Sequence, residues 1–126
     1  MRRTMIAFAI LGIILLLCIC ERKYVNDICV GVEKEINDIY AAMETENFFK
    51  VRRCVANIET MWQEGKDKIY VFINHSEGQE IIDEISRLDV FANKEDEEGV
   101  FLSIKELKDV INEFEDRIVI NWANIL

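Results

Sequence analysis

From Met5 to Cys20 the chain runs sixteen residues without a charged side chain, directly behind Arg2 and Arg3. As a helix this run spans about 24 Å, near the lower limit for crossing a hydrocarbon layer of roughly 30 Å. Thr4, with Arg3 and Arg22 snorkelling to the interfaces, supplies the missing turn. A cleaved signal peptide shares the basic start and the apolar stretch. Its cleavage needs small residues, however, and Cys18 and Cys20 are the only candidate pair. Leu17 and Ile19, just before them, are too bulky for a lipoprotein site. The expected organisation is a retained anchor over residues 1–23, in the membrane through residues 5–20, followed by one body over residues 24–126. Arg2, Arg3 and the amino terminus nearly balance Arg22, Lys23 and Lys34, so charge hardly orients the helix. A short tail stays in the cytoplasm while a long carboxy-terminal domain is translocated largely regardless of its charge. The expected location is therefore the cytoplasmic membrane, single-pass, with the body on the extracytoplasmic side.

After Lys23, 11 Lys and Arg stand against 23 Asp and Glu, a net charge of −12 against −9 for the whole chain. Such a field repels polyanions, and nucleic acid is excluded as a partner for want of clustered cations that release phosphate counterions. Lys50, Arg52 and Arg53 form a single basic cluster that reads as a solvated helix face. Cations or a basic protein surface are what the field attracts. The body is long enough for one core and too short for two. With no proline and five glycines, one of them in the anchor, it has no linker along which to divide.

Helical periodicity dominates that body. Val25, Ile28, Val32, Ile36, Ile39 and Met43 fall on one stripe, so the anchor is free to continue into the first helix. Polar residues 44–47 break the pattern, with Asn47 as the expected N-cap of the next helix. Phe48, Val51, Val55, Ile58 and Trp62 form a second stripe, in phase through Gly65, Ile69 and Phe72. Ser76 with Gln79 is a candidate capping box before a third stripe of Ile81, Ile85, Leu88 and Ala92. The acidic run Glu95–Glu98 sits where a helix dipole favours carboxylates, ahead of Val100, Ile104, Leu107, Ile111 and Phe114. The expected fold class is all-α: a transmembrane helix followed by an antiparallel bundle of about four amphipathic helices, or stacked helical hairpins. A shift of 53 positions lays Phe48 on Phe101, Val51 on Ile104, Cys54 on Leu107, Ile58 on Ile111 and Met61 on Phe114, a weak internal echo. Ile118, Trp122, Ile125 and Leu126 are expected to dock on the bundle.

Four cysteines do not make a disulfide framework here, since Cys18 and Cys20 lie in the apolar run. If the first two body helices fold back around Thr45 and Glu46, Cys54 lies level with position 37. That leaves Cys29 about 12 Å away, so free thiols are expected. Cys54 falls on the apolar stripe as a small core residue. His75, near Asp67, Glu77 and Glu80, lacks the spacing of a metal or catalytic site and reads as a helix cap. The run Glu95–Glu98 lacks the alternating ligands and central glycine of a calcium loop. Trp62, Phe48, Phe49, Tyr70 and Phe72 are mostly core rather than a ligand pocket. No catalytic, cofactor-binding or metal-binding residue is assigned, no cofactor is implied, and no paired nucleophile and base speaks for an enzyme.

The Trp62 helix leading into Phe72-Ile73-Asn74-His75, then Glu77, Ile81, Ile85 and Arg87-Leu88, the stripe Leu107 to Phe114 and the closing Asn124-Ile125-Leu126 carry a resemblance. From anchor to last residue the chain resembles the small membrane-anchored proteins of Gram-positive bacteria grouped as domain of unknown function 4363. The family usually has an acidic residue where this chain has Asn74 and an apolar one where it has Gly78. The resemblance implies a helical extracytoplasmic domain on a single anchor and carries no activity to transfer.

The function expected from these features is a non-enzymatic interaction or accessory module that binds another membrane or envelope protein. The alternative is a small-ligand or cation sensor binding through acidic helix turns. A second copy of the chain is a further candidate partner, because the first stripe serves a parallel coiled coil as readily as a bundle.

Overall fold

The computed structural model describes the backbone of residues 1–69 and 75–125, and the side chains of these residues except Glu21, His75 and 117–125. Four helices occupy nearly all of it: α1 (Arg2–Glu44), α2 (Phe48–Ile69), α3 (His75–Asn93) and α4 (Glu97–Ile125). The apolar run does continue into the body, since α1 is one helix of 43 residues. Its first half exposes Met5, Ile6, Phe8, Ile10, Leu11 and their neighbours, and it is the one helix among those described that is long and apolar enough to cross a membrane. Its second half buries Val25, Ile28, Val32, Ile36, Ile39 and Met43, all on the expected stripe.

Two turns of near-identical construction make the hairpins. Glu46 and Glu95 adopt positive φ, 53° and 56°, and each ends its helix in a Schellman motif. Glu46 N–H donates to Met43 O at 3.1 Å and Asn47 N–H to Ala42 O at 3.0 Å. Glu95 N–H donates to Ala92 O at 3.2 Å and Asp96 N–H to Phe91 O at 3.0 Å. The residue that closes each motif also caps the next helix. Asn47 Oδ1 accepts from Lys50 N–H at 3.2 Å, and Asp96 Oδ1 accepts from Gly99 N–H at 3.1 Å. Such three-residue connections leave the second helix no direction but back along the first.

Each helix packs on its chain neighbours and α4 closes against α1, while among the described residues the backbones of the diagonal pairs stay farther apart. The expected antiparallel bundle is therefore present as a four-cornered ring around one core. Val51, Val55, Ile58, Ile104 and Leu107 are each at most 0% exposed, and each buried aliphatic side chain contributes about 1.5–3 kcal/mol of transfer free energy.

The two hairpins are copies, but at a shift of 49 positions rather than 53. Glu46 matches Glu95 and Asn47 matches Asp96 in role. At that register Val32, Ile36, Ile39 and Met43 fall on Ile81, Ile85, Leu88 and Ala92. Val51, Val55, Ile58 and Trp62 fall on Val100, Ile104, Leu107 and Ile111, and every one of these residues is buried. The two registers differ by about one helical turn, which maps an apolar stripe almost onto itself. Periodicity cannot choose between them, whereas the turns can.

One smaller expectation also changes. Ser76 is not the N-cap of a capping box, because it lies inside α3, which takes in His75, and the Gln79 amide donates along the helix to Asp83 Oδ1 at 2.9 Å. Of the aromatics expected to be mostly core, Trp62 is buried and Phe49, which lies off the stripe, is 72% exposed. Tyr70, Phe72 and Leu126, and the side chains of His75, Ile118, Trp122 and Ile125, lie outside the described residues.

Candidate functional site

Cys29 and Cys54 are free and buried, as expected, and both face carboxylates. Cys54 sits on the second turn of α2, 4% exposed. Because the hairpin folds back at Thr45–Asn47, the Cys54 side chain comes level with residues 35–38 of α1, where Glu35 and Asp38 stand one turn apart. One carboxylate oxygen of each and the Cys54 Sγ all lie within 4.8 Å of one another. Asn57 Nδ2 donates to Glu35 Oε1 at 3.4 Å. Lys50 and Arg53 complete the rim of a depression of ≈ 230 Å³ above the three ligand atoms. Burial, then hydrogen bonding to Glu35 and the charges of Glu35 and Asp38, pushes the Cys54 thiol up to about 11 against the opposing effect of Lys50. Burial, then Glu115 and Glu33, pushes Cys29 up to about 12. Thiols held protonated in this way are poor nucleophiles.

The same positions in the second hairpin, 49 residues on, are Glu84 for Glu35, Arg87 for Asp38, Ser103 for Cys54 and Glu106 for Asn57. There Arg87 Nη1 lies 2.8 Å from Glu84 Oε1 and 3.2 Å from Glu106 Oε2, so a guanidinium ties the two carboxylates together. Burial and a hydrogen bond shared with Glu106 raise the Glu84 carboxyl, with Arg87 opposing. Ser103 is fully buried and its hydroxyl has no partner among the described residues.

Between the hairpins lie two grooves that are also equivalent. One, between α2 and α3, is lined by Glu59, Gln63, Ile82, Ile85 and Ser86. The other, between α4 and α1, is lined by Lys108, Asn112, Glu33, Ile36 and Asn37. Their correspondence at the 49-residue shift means that the hairpins are related by a pseudo-two-fold axis through the core. The grooves differ in charge, since Glu59 of one stands where Lys108 stands in the other.

Asp67 and Glu80 are exposed, and the His75 side chain lies outside the described residues. Glu95–Glu98 form a solvated helix start, with Asp96 as cap and Glu95 3.4 Å from Arg52 of the basic cluster. Sequence reading placed Cys54 opposite position 37 but did not ask which polar side chains flank that position. Glu35 and Asp38, an acidic pair one turn apart beside the apolar stripe, were the available signal.

No curated protein and no solved structure matches the chain. The family model described as domain of unknown function (DUF4363) matches residues 19–125. That match takes in the body half of α1, both hairpins and the cluster of Glu35, Asp38 and Cys54, and the chain belongs to the DUF4363 family.

Proposed function

We propose that the protein is a non-enzymatic interaction module, held by α1 at the outer face of the cytoplasmic membrane and presenting its helical body to another membrane or envelope protein. The observation that carries this reading is the continuity of α1. One helix exposes an apolar surface along its first half and is core to the bundle along its second, so the body is coupled rigidly to the anchor instead of swinging on a linker. Exposed apolar side chains sit toward the turn end of the bundle, away from the anchor: Phe49 at 72%, Leu102 at 55% and Val90 at 48%. They are the apolar side chains that this otherwise acidic body offers to a partner at that end.

The test is photo-crosslinking in native membranes from Phe49, Leu102 and, on the anchor-proximal part of the body, Val30. A single adduct from the distal positions, lost when Phe49 and Leu102 are changed to alanine and retained in His75→Ala, is the expected result. Loss of function in His75→Ala without loss of stability would overturn the reading.

A further inference from the structure

We propose that Glu35, Asp38 and Cys54 form a binding site for one thiophilic divalent cation, with zinc the best match to the donor set. The site stands on observations separate from those behind the interaction module. It lies in the middle of the first hairpin rather than at the acidic turns.

The first observation is the donor geometry. Zinc takes sulfur at about 2.3 Å and carboxylate oxygen at about 2.0–2.2 Å in tetrahedral sites, which puts ligand atoms about 3.2–3.7 Å apart. The three atoms already lie within 4.8 Å of one another, and two belong to half-buried carboxylates with freedom to close in. Cys54 is 4% exposed, and its sulfur faces the two carboxylates where it lines the depression. Three protein ligands leave the fourth position to water from the depression above. Asn57 orients Glu35 through its amide, as an outer-shell partner does.

The second observation is independent and comes from the other hairpin. At the pseudo-symmetric place that copy carries its own cation, the Arg87 guanidinium, in contact with Glu84 and Glu106. In the first hairpin Asp38 replaces that arginine and a thiol replaces Ser103. Each copy holds two carboxylates at this place: Glu84 and Glu106 with a guanidinium between them in one, and Glu35 and Asp38 beside a soft donor in the other, where Asn57 stands for Glu106 and Lys50 and Arg53 stand for Gly99 and Leu102. An external cation bound between Glu35 and Asp38 takes the place that the Arg87 guanidinium holds between Glu84 and Glu106.

Binding replaces the thiol proton by the metal. The S–H bond breaks, the sulfur lone pair goes to zinc, and one proton leaves to solvent without any redox change. Affinity therefore rises by about tenfold per pH unit while the free thiol stays protonated. The charged groups facing the sulfur are Glu35 and Asp38 from α1 and Lys50 and Arg53 from α2. The bound site, with one thiolate and two carboxylates against a divalent ion, carries one net negative charge, which those two basic side chains offset.

The experiment is cobalt titration of the reduced full-length protein in detergent micelles, followed by displacement with zinc. A thiolate-to-cobalt charge-transfer band saturating at one equivalent is expected. Cys54→Ser should abolish the band and weaken zinc binding at least about 100-fold, in the range for loss of a ligand or its support. Asp38→Arg should abolish binding outright. Both substitutions install the residue that the second hairpin carries at the same place, so the fold accommodates them, and helical circular dichroism and melting verify it. Cys29→Ser should keep the band. Absence of the band in the wild-type protein, as when Lys50 or Arg53 folds in to neutralise the carboxylates, overturns the proposal. So does a band that survives Cys54→Ser.

Discussion

Gly99 and Phe91 show how single residues adjust one hairpin copy against the other. A Cβ on Gly99 would come within 2.5 Å of Phe91 Cγ and 2.8 Å of Cε1, so the ring occupies the room that a side chain would take. In the first hairpin the same two places hold Lys50 and Ala42, with the bulk moved from one helix to the other. Gly99→Ala should be destabilising, because overpacking against a ring costs about 1–3 kcal/mol and exceeds the gain of about 1 kcal/mol in helix propensity. In a Phe91→Ala background the same change should become stabilising by about 1 kcal/mol. Urea unfolding of the four proteins of this cycle measures the reversal, and equal effects in both backgrounds would show that the contact is not responsible. Neither residue stands out in the sequence, where Gly99 merely follows an acidic run. The exchange becomes visible only when the 49-residue register is known.

At the scale of the elements, the two turns are built from residues that tolerate them poorly. A left-handed conformation costs a non-glycine residue about 1–2 kcal/mol, yet Glu46 and Glu95 hold it at φ 53° and 56°. Glu46→Gly should raise stability by about 0.5–1 kcal/mol, after allowing for the greater entropy that glycine loses on folding. Glu95→Gly should gain less, because Glu95 also pairs with Arg52 at 3.4 Å and an exposed pair is worth about 0–1 kcal/mol. Denaturation midpoints of the two variants test the order, and a loss of stability in Glu46→Gly would exclude turn strain as the cause. Helix ends were partly legible beforehand. Asn47 caps α2 and Glu97 and Glu98 occupy the first turn of α4, as capping and dipole preferences require. Ser76 and Gln79 have the spacing of a capping box but lie inside α3, where the spacing alone cannot mark the helix start.

For the whole molecule the governing quantity is negative charge held close together. Glu59, Glu84 and Glu115 all have their carboxyl pKa raised above 4.5, in each case first by burial and then with contributions from neighbouring acids. A raised folded pKa means that these groups favour the native state fully below about pH 4.5 and lose that contribution as pH rises through their raised values. Self-repulsion across a body of net charge −12, from 11 basic and 23 acidic residues after Lys23, acts in the same direction. The urea midpoint should therefore be higher at pH 5 than at pH 8, and Glu84→Gln should reduce the difference. A midpoint that rises with pH would mean that ion pairs such as Arg87 with Glu84 and Glu106 outweigh the repulsion.

Taken by itself, the order of residues determined the four helices, their buried stripes, the free thiols and the apolar first half of α1. Each follows from local periodicity or from a composition step that no packing can undo. The tertiary structure alone decided that the hairpins repeat at 49 positions and that α4 closes on α1. It also decided that Glu35 and Asp38 meet Cys54 while Arg87 fills the matching place. Those facts depend on which turn of one helix lies beside which turn of another, and a stripe that repeats every turn is blind to that choice.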